Sequence, residues 1–301
     1  MVWRSTASTC LPGATLGVLT APPLRTLYDV ALAAEKGREP ASGYRLYWMA
    51  DGRFGSCDVP ASPDEFVVVG RHALCDAVLD ADPYVALRHL LLRATRLDDG
   101  AARLSVIDLQ TSLGFALADG RSVRSIVATG PLGLVLGGYA LVALPGGERP
   151  PAELPPPRVS AALAAGPYRE AAPVPSITLM PRAPLFGDGS ASVPAQASVA
   201  VSVTSGRGAA VVRVSPLDLD LGVLVGRAPK CNDVLRTVLN DGISRVHLLL
   251  RRSVAYDLAS TQGTYVDGRR VRSVRIEPGT AVRLGTANPV YLHVTATSGT
   301  A

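Results

Sequence analysis

Apolar and polar residues alternate with a period of two over many short stretches of the 301-residue chain. A period of two places successive side chains on opposite faces of a β-strand, so that one face can be buried. In the last third of the chain, turn residues separate such stretches at close spacing, and no helical period interrupts them. The pattern predicts an antiparallel β-sandwich, with strands over 217–225, 246–251, 254–258, 264–266, 280–284 and 290–295.

The N-terminal region repeats the landmarks of the C-terminal region in the same order. Residues 89–93 have the same sequence, HLLLR, as residues 247–251. A Gly-Arg pair precedes this segment in both regions, at 70–71 and at 226–227, and a cysteine follows each pair four residues later. Several landmarks in one order indicate a duplicated domain.

Prolines concentrate between the two copies: 12 of the 24 lie in residues 145–198. Proline fixes φ and removes a backbone donor, so this stretch is predicted to be an extended and partly rigid linker. A short helix over 26–36, ended by a glycine, is predicted near the N-terminus. The sequence thus predicts an all-β chain in which a Pro-rich linker joins two antiparallel β-sandwich domains. The predicted parts are a tail over 1–41, a first domain over 42–145, the linker over 146–198 and a second domain over 199–297.

Charge and cysteine usage exclude several classes of function. The net charge is +5, but the 28 Arg and 2 Lys are scattered among 25 acids, which does not indicate a nucleic-acid interface. The longest apolar run is too short for a membrane span of about 20 residues, and Pro12 interrupts the place of a secretory signal. The four cysteines form no C-x-x-C pair. We therefore expect a cytoplasmic protein without metal, cofactor, nucleic-acid partner or membrane partner.

The residues best suited to binding or catalysis form three short motifs on the loops between the predicted C-terminal strands. This run of motifs contains Gly226-Arg227, then S-R-V-H over 244–247, then S-T-Q-G-T over 260–264. A guanidinium fork, short hydroxyl donors and glycines that permit close backbone approach are suited to holding a phosphate. Ser244 and His247 have no third group that would orient the histidine, so a nucleophile–base pair is not predicted. With no Walker, Rossmann or metal motif either, the protein is not expected to be an enzyme.

Taken together, this run resembles the forkhead-associated (FHA) domain, a reader of phosphothreonine peptides. The resemblance implies that Arg227, Ser244 and Thr261 contact the phosphate. It implies that Arg245 adds a contact to phosphate or peptide, and that Gln262 replaces an asparagine that grips the peptide backbone in the family. The extra methylene of the glutamine changes its reach. Structural roles at the site are implied for three further residues, which are Gly226, His247 and Gly263.

The N-terminal copy keeps Arg71 but lacks most of the phosphate-binding set. Alignment with the C-terminal copy places Ala86 and Leu87 where the serine and the second arginine stand. Ser112 and Leu113 stand at the positions of the threonine and the glutamine. Loss of a hydroxyl and a guanidinium is predicted to cost at least ~3 kcal/mol, or about a hundredfold in phosphate affinity. This copy is therefore interpreted as a degenerate FHA-like domain.

Two functions are compatible with these residues. The first is a phosphothreonine-dependent adaptor in Ser/Thr-kinase signalling, whose partner is a phosphothreonine-containing protein, either a Ser/Thr kinase or its substrate. The alternative is a structural or assembly protein with phosphate-independent contacts, for example a scaffold or secretion-system component. The chain contains the arginine, serine and threonine that the family uses to contact phosphate, which favours the adaptor. The degenerate N-terminal copy and Gln262 favour the structural or assembly protein. The sequence does not indicate an oligomeric state.

Overall fold

The computed structural model describes residues 23–146 and 199–296; the predicted linker and the first part of the predicted tail lie outside these ranges. The chain divides into two compact units, residues 1–164 and 165–301. Both consist mainly of antiparallel β-strands, which confirms the predicted all-β class with two β-sandwiches. In the part of the chain that is described, no helix is long and apolar enough to cross a membrane.

In residues 23–146, one helix precedes eleven strands that form two sheets. The elements are α1 (Leu24–Glu35), β1 (Tyr44–Ala50), β2 (Arg53–Val59), β3 (Val67–Gly70), β4 (Ala77–Val78), β5 (Leu90–Arg96), β6 (Ala102–Asp108), β7 (Phe115–Leu117), β8 (Ser122–Val123), β9 (Ser125–Ala128), β10 (Leu132–Leu136) and β11 (Tyr139–Pro145). The sheet orders are β2-β1-β11-β10-β7-β8 and β4-β3-β5-β6-β9. The described pairings are antiparallel except for the parallel pair of β3 and β4.

The two sheets of the N-terminal unit enclose one apolar core. Leu46 and Leu141 of the first sheet are fully buried in the same cluster as Leu90 and Leu92 of the second. Each such side chain stabilises the fold by about 1.5–3 kcal/mol relative to exposure. The core therefore holds the sheets face to face and leaves the loops at their ends to carry other chemistry.

Helix α1 covers the outer face of the first sheet. That face is apolar because β11 does not alternate: its first six residues are all buried. Leu27 and Tyr28 of the helix are fully buried against Tyr47 and Val142 of the sheet. The helix lies within two residues of the predicted range 26–36.

An ion pair anchors the C-terminal end of α1 to β1. Arg45 Nη1 donates to both carboxylate oxygens of Glu35 at 3.0 Å. Tyr47 Oη donates to the same carboxylate at 2.5 Å. Burial, reinforced by the hydrogen bond and negative charge of Glu35, raises the pKa of Tyr47 to about 12. The phenol is thus a proton donor throughout the physiological range.

The described part of the C-terminal unit repeats the same architecture. Its elements are β12 (Val199–Ser205), β13 (Gly208–Val214), α2 (Pro216–Leu221), β14 (Val223–Val225), α3 (Asp233–Arg236), β15 (Leu248–Arg251), β16 (Val254–Asp257), β17 (Thr264–Val266), β18 (Arg269–Val271), β19 (Ser273–Arg275), β20 (Ala281–Leu284) and β21 (Val290–Ala296). The sheet orders β13-β12-β21-β20-β17-β18 and β14-β15-β16-β19 match those of the first unit strand for strand, apart from β4. The single turn of α3 takes the place of β4. The common strand order supports the predicted duplication.

The prediction of one strand over 217–225 is wrong for its first part, because Pro216–Leu221 forms helix α2. Ser215 caps this helix: its Oγ accepts from Asp218 N at 3.1 Å, and the Asp218 carboxylate accepts from Ser215 N at 3.2 Å. This capping box, with proline at the first helical position, outweighs the alternation of leucine and aspartate. The expectation that no helix interrupts the strands is wrong for the same reason.

The other predicted C-terminal strands are present, with ends within two residues of the predictions. Four strands were not predicted from the alternation: β12 and β13, the first strands of residues 199–296, and the short strands β18 and β19. The missed pair β12 and β13 forms one side of the larger sheet, where only one face is covered.

We expect Leu27→Ala to lower the unfolding free energy of the N-terminal unit by about 2–5 kcal/mol, because it removes a fully buried side chain between α1 and the sheet. Val30→Ala, on the exposed side of the same helix, is the control and should change it by less than about 0.5 kcal/mol. Denaturant-dependent hydrogen exchange in residues 44–50 and 139–145 of the full chain measures both. Equal effects of the two substitutions would contradict the packing of α1.

Candidate functional site

Three loops at one end of the C-terminal sandwich carry the predicted site residues. They follow β14, precede β15 and connect β16 to β17. Arg227 N donates to Ser244 O at 3.3 Å, and Ala228 N donates to Arg245 O at 2.7 Å. These backbone bonds tie the first loop to the second and bring the arginine beside the serine.

Ser244 also joins the second loop to the third. Its Oγ accepts a hydrogen bond from Thr261 N at 3.1 Å. The oxygen is thereby fixed, and its proton can be donated to another acceptor. Thr261 itself is exposed, so its hydroxyl faces solvent at the same rim. The structure thus brings together the three residues that the sequence predicts as phosphate contacts.

The guanidinium of Arg227 is fixed through Nε, and its side chain is partly exposed to solvent. Its Nε donates to Ile243 O at 2.6 Å. Its Nη1 lies 3.6 Å from Asp241 Oδ1, and Asp241 Oδ2 lies 3.4 Å from Nη2 of Arg207. The side chains of Arg227 and Asp241 are 37% and 84% exposed, so solvent weakens this pair. Asp241 was not predicted from the sequence, where its only signal is an acid three residues before the serine.

The space around residue 226 admits only glycine. A Cβ at this position would lie 2.4 Å from the carbonyl oxygen of Arg245. Gly70 has the same constraint, with a Cβ 2.5 Å from Leu87 O. The obstacle is backbone in both copies, so no side-chain movement can relieve it.

The imidazole of His247 lies beneath the loops and is fully buried. Nδ1 accepts from Ser244 N at 3.3 Å, so the proton is on Nε2, which lies 3.2 Å from Gly263 O. Both ring nitrogens are engaged with backbone, and neither contacts the serine hydroxyl. The arrangement positions loops and does not form a nucleophile–base pair.

A carboxylate network supports the third loop from below. Asp257 accepts from Ser260 N at 2.7 Å, from Ser260 Oγ at 2.5 Å and from Thr264 Oγ1 at 2.6 Å. It holds a turn in which Ala259 has φ of 54° and Gly263 has φ of 77°. The sequence showed these residues within the motif but gave no role to the aspartate.

Gln262 and Arg245, the two predicted peptide contacts, differ in their restraint. Gln262 Oε1 accepts from Thr286 Oγ1 at 2.8 Å, on the loop between β20 and β21. This bond orients the amide and leaves its nitrogen as a donor. Arg245 is exposed at the rim.

The N-terminal copy keeps the framework of the site. Arg71 Nε donates to Val85 O at 2.6 Å, as Arg227 does to Ile243 O. His89 Nδ1 accepts from Ala86 N at 3.0 Å, and its Nε2 lies 3.0 Å from Gly114 O.

Cysteine thiols contribute to this framework in both copies. Cys75 Sγ donates to Leu87 O at 3.3 Å and Cys231 Sγ to Arg245 O at 3.4 Å. Burial raises the pKa of the two thiols to about 12 and about 11, which keeps them protonated as donors.

What the N-terminal copy lacks is the hydrogen bond from the third loop to a serine hydroxyl of the second loop. The side chain of Ala86 has no oxygen with which to accept from the third loop. Arg124 supports the third loop of this copy from beneath, because it donates to Asp108 Oδ2 at 2.7 Å and to Thr111 O. In residues 23–146 and 199–296, no three His, Cys, Asp or Glu side chains are grouped as a metal would require.

The C-terminal loops lie within a segment that is similar to a known family. Residues 223–285 match the FHA domain model. The chain is similar to FHA-1 of Mycobacterium tuberculosis Rv1747, with 26% identity over 35% of this chain and 98% of that one, at a TM-score of 0.27. An FHA domain of an Arabidopsis thaliana hypothetical protein gives 22% identity, coverages of 38% and 98% and a TM-score of 0.30.

The yeast Dun1 FHA domain, solved in complex with a doubly phosphorylated peptide derived from Rad53, gives 18% identity, coverages of 42% and 90% and a TM-score of 0.31. No curated protein matches the sequence.

We expect Gly226→Ala to destabilise the C-terminal unit by about 1–3 kcal/mol, because the new Cβ meets immovable backbone. Gly206→Ala, where no atom lies within 4 Å, is the matched control and should be nearly neutral. Thermal unfolding of the full chain measures both. A neutral Gly226→Ala would show that the first two loops are not in contact as described.

Proposed function

We propose that the C-terminal unit, whose residues 223–285 match the FHA domain model, binds phosphothreonine peptides and makes this protein an adaptor in Ser/Thr-kinase signalling. FHA domains are phosphothreonine-peptide-binding interaction modules. The observation that carries the proposal is the hydrogen-bonded set in which Arg227 N donates to Ser244 O and Thr261 N donates to Ser244 Oγ. The set presents one guanidinium and two hydroxyls at a single rim.

The rim matches the chemistry of a phosphothreonine. The phosphate carries about two negative charges and three acceptor oxygens at neutral pH. In our proposal the Nη groups of Arg227 supply the positive charge, and the hydroxyls of Ser244 and Thr261 donate to separate oxygens. Arg245 adds a charge at the edge, and the amide nitrogen of Gln262 donates to the backbone of the bound peptide.

Pre-organisation supports the proposed binding. The serine oxygen is fixed by Thr261 N, and the guanidinium is fixed by Ile243 O. Gly226, His247 and Gly263 hold the loops and do not contact ligand in this proposal. Binding therefore requires little ordering of the rim, which reduces its entropic cost.

We propose domain bounds of 42–145 and 199–297 and assign phosphate reading to the second domain alone. The partner is a phosphothreonine-containing protein, either a Ser/Thr kinase or its substrate. Cys57, Cys75 and Cys231 are free thiols, which supports a reducing, cytoplasmic location.

A phosphate-independent scaffold is the second candidate function. Two observations favour it: the N-terminal copy lacks the serine oxygen, and Asp241 presents a carboxylate to Arg227 in the C-terminal copy. The two candidates differ in whether binding requires the phosphate.

We expect Arg227→Ala in the full chain to weaken binding to a degenerate phosphothreonine peptide library by about 10- to 150-fold, because hydrogen bonds to a charged phosphate are lost. Arg71→Ala, at the equivalent position of the N-terminal copy, is the matched control and should leave this affinity unchanged. Fluorescence titration with the library and with its unphosphorylated twin measures both variants.

Three results of that titration are informative. Phosphate-dependent binding lost only in Arg227→Ala supports the adaptor. Equal binding of both libraries to the wild type supports the scaffold. Loss in Arg71→Ala, at a level similar to Arg227→Ala, would contradict the assignment of phosphate reading to the second domain.

We expect Asp241→Asn to strengthen phosphothreonine-peptide binding by about two- to fivefold, because it removes an exposed negative charge beside the guanidinium. Asp233→Asn removes an equally exposed acid that pairs with Arg236 and serves as the control. The gain should decrease as salt is added, since exposed charges are screened. A gain that is the same for both variants would indicate an effect of net charge alone.

A further inference from the structure

The end of the N-terminal sandwich that corresponds to the phosphate site is apolar. Leu74, Tyr84 and Leu113 are 51%, 76% and 45% exposed, which makes them the three most exposed large apolar side chains of residues 23–146. Each lies on a different one of the three loops equivalent to the loops of the C-terminal site. With the half-buried Leu87 they form what we call the apolar rim.

Hydrogen bonds hold the loops of the apolar rim side by side. His72 N donates to Leu87 O at 3.1 Å, which ties the first loop to the second. The buried His89 joins the second loop to the third through Gly114 O at 3.0 Å. The apolar side chains therefore project from a fixed framework.

The same positions in the C-terminal unit are not apolar. Alignment through the shared glycine, cysteine and histidine landmarks matches the apolar rim to the residues Lys230, Gly242, Arg245 and Gln262. Packing in the hydrophobic core does not explain why these residues are apolar, because three of the four side chains are exposed to solvent. Exposed apolar side chains on three loops that are bonded to one another indicate a site of interaction.

The first of these loops also carries the arginine of the shared Gly-Arg pair. Arg71 is held by Val85 O through Nε at 2.6 Å, and in residues 23–146 no carboxylate forms an ion pair with its guanidinium. Pro83 stands where the C-terminal unit has Asp241. The Nη groups can therefore pair with an acid supplied from outside.

We propose that the apolar rim binds an extended, unphosphorylated protein segment that carries a large apolar side chain next to a carboxylate. The apolar side chain packs among Leu74, Leu87 and Leu113, and the carboxylate pairs with Arg71. A single carboxylate suits a site that keeps the guanidinium but has lost the serine hydroxyl. The site is independent of the phosphothreonine site proposed above.

The test uses the full chain with Arg227→Ala, so that the C-terminal site does not contribute to binding. The probes are three pools of unphosphorylated peptides, degenerate except for a central Leu-Asp, Leu-Asn or Ser-Asp pair. The Leu-Asp pool is expected to bind at least about tenfold more tightly than either of the others, because only it offers both the apolar side chain and the charge.

Three substitutions in that background locate the site. Leu113→Gln introduces the residue type of the C-terminal copy, and Arg71→Gln removes the charge. Each should lower affinity for the Leu-Asp pool at least about tenfold. Val30→Gln changes a similarly exposed apolar residue on α1 and should have no effect. Unchanged thermal midpoints show that the variants fold.

Three results would overturn the proposal. The first is equal affinity of the three pools, and the second is an equal loss of affinity in Val30→Gln. The third is concentration-dependent self-association that Leu113→Gln abolishes, since this would assign the apolar rim to a second copy of the chain. None of these results depends on whether the C-terminal unit binds phosphothreonine.

Discussion

The loop geometry of both units depends on one buried histidine in each. His247 and His89 are fully enclosed, and each uses both ring nitrogens to connect the second loop to the third. The buried imidazole therefore fixes the distance between two backbone segments through hydrogen bonds and does not reach the surface. The side chains that project from those segments can change while the loops stay in place.

The two copies show what this separation of framework and surface permits. Both copies retain a glycine at a position where a Cβ would clash with a backbone carbonyl oxygen. Both also retain an arginine whose Nε donates to a backbone carbonyl, and a cysteine whose thiol donates to the second loop. The C-terminal copy adds an oxygen at Ser244 and polar side chains around it. The N-terminal copy has alanine in place of the serine, leucines in place of polar side chains and a tyrosine in place of a glycine. One scaffold thus supports a surface suited to a dianion and another suited to apolar side chains with a single charge.

The sequence predicted the fold class and the duplication because both rest on local pattern and on repeated landmarks. It failed at Pro216–Leu221, where the capping box of Ser215 and Asp218 is a pairwise interaction that alternation does not register. It grouped Arg227, Ser244 and Thr261 only through family resemblance, since nothing in their spacing shows that the loops meet. Asp241 was missed because its proximity to Arg227 arises from loop conformation. The apolar rim was missed because exposure cannot be read from residue type.

The docking of α1 links the order of synthesis to the order of folding. Strand β11 lies at the centre of its sheet, between β1 and β10, and also forms part of the surface that α1 covers. The helix leaves the ribosome long before β11 is translated, so its apolar face has no complete partner while the intervening strands emerge. The N-terminal sandwich must therefore close in a late step that inserts β11 and seats the helix together. The first element of residues 23–146 is thus among the last to be fixed in place.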